Sequence, residues 1–295
     1  MPPISVGDLV RPAPGVPVLG GTFFVLLPSL ASGAPVALPS RRRLGRQIRV
    51  LRPQATYLTP PQLRAALADG VRFTGRVYSG SAPVSAALLA AARRAGAREA
   101  WCVYALTELF PAAAVQAEAK TAFDGPGDLV GELLPGVSAT TGADGQLLLR
   151  GPGAADRYLG EERLEWVATG DVGRVDGRTV VLGGRAKDMI LRRAENIYPG
   201  LYEPSLHVPG VELAVIVGVP AADGDERVVA VVQAAAGAAE PAVRAALRTP
   251  LARMGSARPD AVVFARVPLS GRSRKPDRAA TARLAARLAV EGPSR

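Results

Sequence analysis

The stretch VYSGSAPVSAALLAAARRAGAREAWCVYAL, residues 77–106, constrains the fold more than any other part of the chain. An apolar run enters a Gly-Ser-Ala-Pro turn. An Ala/Leu-rich segment follows, ends at Gly96, and leads into a second apolar run. Strand, helix and strand in that order, with short connections, is the pattern of α/β layering. A second Ala/Leu-rich helical segment, PPQLRAALADG, precedes it, so residues 1 to about 183 read as alternating helix and strand.

The chain has 295 residues, 48% hydrophobic and 21% charged, enough for one large or two ordinary domains with real cores. Basic residues outnumber acidic ones 36 to 26, a net charge of +10. Such an excess favours phosphates, nucleotides, coenzyme A, nucleic acid or acidic protein faces, although an Arg-rich solvated surface explains it equally well. Nucleic acid is disfavoured: RRRLGRQIRVLR is basic, but aromatics are 5% and no nucleic-acid module is present.

Cys102 is the single cysteine and lies inside Trp101-Cys102-Val103, so it reads as core, with no disulfide and no metal cluster. His207 is the single histidine and has no nucleophile motif beside it, which argues against hydrolase triads. The start MPPISVGDLVRPAPG lacks signal-peptide features, and the apolar run Val18–Leu30 is short and broken by Gly20, Gly21 and Pro28. The expected setting is therefore cytoplasmic, without a membrane partner. Only three basic residues are lysines, Lys120, Lys187 and Lys275. A lysine among arginines marks a place that needs a compact ammonium; Lys120 reads as a surface residue.

From Asp128 to Arg150 short strands and a Gly-Ala-Asp-Gly turn suggest a β-rich subdomain, about 125–183. It ends in a hairpin whose strands flank Asp176-Gly177, a strong turn signal. Beyond it the pattern changes. YPGLYEPSLHVPG reads as a short helix, ELAVIVGVP and ERVVAVVQA as buried strands, EPAVRAALRTPLARM as a helix, DAVVFARVP as a strand and PDRAATARLAARLAVEG as a terminal helix. The expected domains are therefore 1–184 and a compact α+β unit, 185–295.

Four segments carry chemistry. Gly80-Ser81-Ala82-Pro83 joins a strand to a helix, where small residues let a planar ligand approach the backbone. Tyr104, Thr107 and Glu108 follow a strand end and suit base stacking, a phosphate contact and a Mg²⁺ ligand. Asp171, after Gly170, is placed to accept ribose hydroxyl hydrogen bonds, and Arg185 could reach the same sugar. Lys275, in a Gly/Ser/Arg loop before a helix, suits neutralisation of charge on a carboxylate attacking an α-phosphate. Each segment alone has a bland reading as an ordinary turn, loop or basic tail.

Together, and in this order, they resemble the adenylate-forming superfamily of acyl-CoA synthetases, peptide-synthetase adenylation domains and luciferases. SGSAP resembles its Gly-Gly-Ala-Pro turn, YALTE its Tyr-Gly-x-Thr-Glu motif and TGD its ribose-binding Asp motif. GRAKDMILRRAENIYP resembles its hinge and the Gly-Glu-Asn-Ile-Tyr-Pro segment after it, and HVPGVELAVIVGVPAADGDERVVAVV its C-terminal strand pair. The resemblance implies an α/β fold: a partial acyl-CoA-synthetase-like N-terminal domain, layered α/β plus a small β subdomain, with a hinged α+β C-terminal domain as mobile lid.

It implies adenine on Tyr104 beside Gly80, Ser81, Ala82 and Pro83, the α-phosphate on Thr107 and Mg²⁺ on Glu108. It further implies ribose on Asp171 and Arg185, a pivot at Lys187 and Asp188, and adenylation by Lys275. The implied cofactors are Mg²⁺, ATP or AMP, and coenzyme A or phosphopantetheine. The implied partners are a carboxylic acid and coenzyme A or an acyl carrier protein.

Three departures accompany it. The Ser/Thr/Gly/Lys-rich phosphate loop is not found, and GGTFFVLLP reads as a helix. Ala105 replaces a glycine, as do Arg193 and Ala194. Ser273-Arg274-Lys275 replaces Ser-Gly-Lys. The expected activity is an AMP-forming acid–thiol ligase, with ATP use left to a separate chain; a partner chain or a dimer is the expected assembly. The alternative is a non-catalytic relic that binds a nucleotide or carrier protein.

Overall fold

The computed structural model describes residues 25–37, 43–221, 224–271 and 274–291. The chain divides into two compact units. The first comprises Met1–Asp124, Leu129–Thr169 and Val175–Val181, and the second Gly125–Asp128, Gly170–Arg174 and Leu182–Arg295.

In the first unit, β1 (Ala55–Leu58), β2 (Arg76–Gly80) and β3 (Glu99–Tyr104) are parallel, joined by the helices Pro60–Ala68 and Ala86–Arg94. This is the layering expected from residues 77–106. Pro60 opens the first helix, where its missing N–H costs nothing, and the N–H of Thr59 donates to Gln62 Oε1 at 2.8 Å. Ser85 caps the second, its Oγ accepting from the N–H of Leu88 at 3.2 Å. Leu88, Leu89 and Ala92 of that helix and Leu63 and Ala66 of the other pack on Leu58, Val77 and Cys102. Cys102 is buried there.

β4 (Ala113–Gln116) runs antiparallel to β3 and opens the second half of the sheet. It is followed by β5 (Asp128–Leu133), β6 (Ser138–Thr141), β7 (Gln146–Arg150), β8 (Val167–Asp176) and β9 (Thr179–Arg185), of which Asp128, Gly170–Arg174 and Leu182–Arg185 count with the second unit. The order is β1-β2-β3-β4-β5-β9-β8-β7-β6. β8 and β9 form the expected hairpin, but its loop is Gly177-Arg178, with Gly177 at φ +57°, one residue beyond the expected pair. Lys120 corrects another expectation: it is buried, and its Nζ donates to the Leu129 carbonyl at 2.6 Å. A lysine stem adds apolar contact to a core if its ammonium finds an acceptor, and here a strand carbonyl is that acceptor.

In the second unit, β10 (Ile190–Arg192) and β11 (Glu195–Ile197) form a short hairpin. β12 (Val211–Pro220) pairs antiparallel with β13 (Glu226–Ala234), and β14 (Ala261–Phe264) adds parallel to β13 after the helix Glu240–Ala252. Both faces of this sheet are covered, which explains the nearly continuous apolar runs of β12 and β13. Ala214 and Ile216 pack with Val243 and Leu247 of the helix Glu240–Ala252. Leu213, Val215 and Val217 face the other way, toward Ala282, Ala285 and Ala286 of the terminal helix Arg278–Glu291. Residues 198–210, expected as a helix, instead hold two 3-10 turns, Pro199–Leu201 and Glu203–Leu206. Pro199, Gly200 and Pro204 interrupt any longer i→i+4 ladder. A last small hairpin, β15 (Leu269–Ser270) with β16 (Lys275–Pro276), precedes the terminal helix. Among the described residues no helix is long and apolar enough to cross a membrane.

Candidate functional site

The residues singled out in the sequence fall into two sets, one in each unit. In the first unit, the Gly80 turn lies at the carboxyl end of β2, and Gly80 pairs in register with Val103, one residue before Tyr104 ends β3. Adjacent carboxyl ends of parallel strands are where α/β sheets bind ligands. Gly80 has no room for a side chain: a Cβ there would sit 2.6 Å from the Val103 carbonyl oxygen and 3.0 Å from Tyr57 Oη. Ser81 has a left-handed backbone, φ +69°, and its Oγ is 3.1 Å from Tyr57 Oη. That conformation explains why the resembled motif has glycine at this place. Ala82 is half-buried and Pro83 exposed.

Tyr104 is half-buried, and its carbonyl accepts from the N–H of Ala112 at 2.9 Å. Thr107 is exposed and Glu108 half-buried in the bend that follows. The Glu108 carbonyl accepts from the N–H of Ala155 at 2.7 Å, and its Oε1 accepts from Tyr158 Oη at 3.0 Å. The carboxylate raises the pKa of the Tyr158 phenol above its ordinary value, chiefly through that hydrogen bond. Tyr158 escaped the sequence reading because nothing local marks a tyrosine fifty positions from its partner.

Among the described residues no group of three or more His, Cys, Asp or Glu side chains is placed to hold a metal ion. Mg²⁺ is nonetheless commonly bound by one or two carboxylates plus substrate phosphates. Glu108, with one oxygen held by Tyr158, fits that mode as the single protein carboxylate.

In the second unit, Asp171 follows Gly170, whose φ is +70°, and is buried. Its Oδ1 lies 2.9 Å from Nε of Arg185, the last residue of β9, which is half-exposed. Lys187 is exposed on the 3-10 turn Ala186–Asp188. Lys275, on β16, is exposed at its surface, yet its pKa lies below the ordinary lysine value. Partial desolvation is the largest cause; Arg185 and Lys187 add to it by repulsion and Asp171 opposes it. Asp171, Arg185, Lys187 and Lys275 therefore share one electrostatic neighbourhood.

Asp188 points elsewhere: its Oδ2 is 3.1 Å from Nε of Arg278, a residue the sequence reading did not select. Arg193 and Ala194, the departures from the glycine pair, occupy left-handed conformations at φ +50° and +62° in the β10–β11 turn. Both Asp225 carboxylate oxygens accept from the Arg193 N–H at 2.9 Å, which holds the turn without glycine. Arg272 and Ser273, beside Lys275, and the part of GGTFFVLLP before Val25 lie outside the described residues; Leu27–Ser32 is helical.

No family model matches the chain. A CoA ligase of Rhodococcus jostii, acting on a methyl-dioxo-octahydroindenyl propanoate, is 34% identical over 107 residues, 33% of this chain and 20% of the relative. The rat mitochondrial medium-chain acyl-CoA ligase ACSF2 is 30% identical over 172 residues, 51% of this chain and 28% of the relative. Among solved structures, the amide bond synthetase McbA from Marinactinospora thermotolerans superimposes with a TM-score of 0.77 at 26% identity, covering 96% of this chain and 62% of McbA. ATP-bound MatB from Rhodopseudomonas palustris gives 0.74 at 23% identity, covering 97% and 61%. The chain thus spans about three fifths of the structural neighbours' length, and its matched stretches span far less of the curated relatives.

Proposed function

We propose that this chain, a member of the adenylate-forming superfamily by its fold and its sequence relatives, handles an acyl-adenylate and passes the acyl group to a thiol. The thiol belongs to coenzyme A or to the phosphopantetheine arm of a carrier protein. One observation carries the reading: Asp171, buried and ion-paired to Arg185, shares its electrostatic neighbourhood with a lysine of lowered pKa, Lys275. A carboxylate already held by a guanidinium is a rigid acceptor for two vicinal hydroxyls. A lysine beside it is a point charge suited to an attacking carboxylate and an α-phosphate. In the first unit, the flush backbone at Gly80 and the ring of Tyr104 suit a flat base, and Thr107 suits a phosphate oxygen. Mg²⁺, when bound at Glu108, would neutralise phosphate charge.

Calorimetry with AMP and thioester formation from synthetic acyl-AMP plus coenzyme A test this together. The expected result is AMP binding that Asp171→Asn weakens at least tenfold, and thioester above the uncatalysed background. No AMP binding by the wild-type chain would overturn the reading. AMP binding without transfer supports the binding-only alternative instead. A second acceptor class is favoured by McbA, an amide bond synthetase. Replacing coenzyme A with a primary amine distinguishes them by whether amide or thioester accumulates.

A further inference from the structure

Arg278, the first residue of the terminal helix, spends each nitrogen of its guanidinium on a different element of the second unit. Nε lies 3.1 Å from Asp188 Oδ2, Nη2 lies 2.7 Å from Glu203 Oε2, and Nη1 donates to the Ile216 carbonyl at 2.8 Å. The other oxygen of Glu203, Oε1, accepts from the N–H of Ile216 at 2.8 Å. One side chain therefore joins the terminal helix, the turn Ala186–Asp188, the turn Glu203–Leu206 and β12. The groups are largely shielded, with side-chain exposures of 26%, 20% and 13% for Arg278, Asp188 and Glu203. Only a planar fork serves three directions at once, and an ammonium on a flexible stem does not reproduce it.

Arg278 also stands three residues after Lys275. The residue before it, Asp277, accepts from the Ala280 N–H through Oδ1 at 2.9 Å and donates its own N–H to Pro268 O at 2.9 Å. Ser270 pairs with Lys275 across β15 and β16. The lysine hairpin is thus anchored at the same corner that Arg278 clamps.

We propose that Arg278 is a positioning residue. It ties the turn carrying Lys187 and Asp188 to the hairpin carrying Lys275, so that Lys275 is held against Arg185, Lys187 and Asp171. The inference concerns the lysine's placement inside the second unit, so it stands or falls apart from the nucleotide reading.

The chain's three lysines make the test direct. The full chain is labelled with limiting acetic anhydride across a pH series, and labelling of Lys120, Lys187 and Lys275 is read by mass spectrometry. The wild type, Arg278→Lys and Asp188→Ala are compared, with fragment ions separating label on Lys275 from label on the lysine that Arg278→Lys introduces. Freed from the clamp, Lys275 gains water and loses its cationic neighbours, so its labelling midpoint is expected to rise in both variants, with a several-fold fall near neutral pH. Asp188→Ala removes an anion, and charge alone would move the midpoint down, while Arg278→Lys keeps the charge. A rise in both variants therefore reports position rather than charge. An unchanged midpoint in Arg278→Lys, or a lowered one in Asp188→Ala, overturns the proposal. Loss of native circular dichroism in Arg278→Lys also overturns it, because Arg278 would then be a residue of the fold.

Discussion

Gly80→Ala tests the flat edge at the first-unit site. The added Cβ would lie 2.6 Å from the Val103 carbonyl oxygen, against a floor of 3.0 Å for real Cβ contacts, so one of two adjacent strands must shift by at least 0.4 Å. The obstacle is backbone in the β2–β3 pair, where Gly80 faces Val103, so no rotamer change relieves it. Overpacking of this kind costs about 1–3 kcal/mol, offset by about 0.4–1 kcal/mol because alanine restricts the unfolded chain. Taking the middle of each range, about 2 less about 0.7, the net expectation is a loss of roughly 1.3 kcal/mol.

The control is Gly160→Ala. Gly160 has φ +81°, and a Cβ added there would meet nothing within 4 Å, so only its left-handed backbone penalises the change. Both tryptophans, Trp101 and Trp166, belong to the first unit, so their fluorescence in urea follows that unit. With a denaturant slope of about 1–3 kcal/mol per molar, the midpoint of Gly80→Ala should fall by several tenths of a molar or more. AMP affinity should fall with it. A midpoint equal to the wild type's would refute the steric argument.

Two further outcomes follow from the charges. The folded pKa of Lys275 is below its unfolded value, so between the two the unfolded chain binds more protons and stability rises with pH. Lys275→Met should remove that slope, read as urea midpoints across an alkaline pH series, and an identical slope would contradict it. The phenol of Tyr158 beside Glu108 should ionise above the ordinary tyrosine range. Its contribution to stability is present below the unfolded pKa and lost as pH rises through the folded one. The ultraviolet difference titration between wild type and Tyr158→Phe should therefore show one late phenolate, and a transition in the ordinary range would count against the hydrogen bond.

The sequence made some features legible and hid others for physical reasons. The strands β12 and β13 stand out in the sequence because a sheet covered on both faces needs continuous apolar runs, and the run ERVVAVVQA coincides with the strand Glu226–Ala234. The helix Ala86–Arg94 was visible through its glycine stop and its apolar spacing. Pairings across long separations left no local mark. Arg278 looks like any arginine in a basic tail until Asp188 and Glu203 are brought to it. Lys120 reads as exposed until the Leu129 carbonyl supplies its acceptor. The Arg193-Ala194 turn departs from local preference, and its restraint, Asp225, comes from a loop 32 residues away. Motif order singles out Asp171 together with its ion-pair partner Arg185, whereas Tyr158 beside Glu108 and Arg278 beside Asp188 carry no such mark.

The division of the chain bears on any attempt to prepare its halves. The second unit draws in Gly125–Asp128 and Gly170–Arg174 besides everything from Leu182 onward. A recombinant piece starting at Arg185 would leave behind the carboxylate that Arg185 holds, and a piece ending at Gly184 would carry that carboxylate away with its counter-charge missing. The two halves are interleaved in sequence, so no single scission of the polypeptide yields both in intact form.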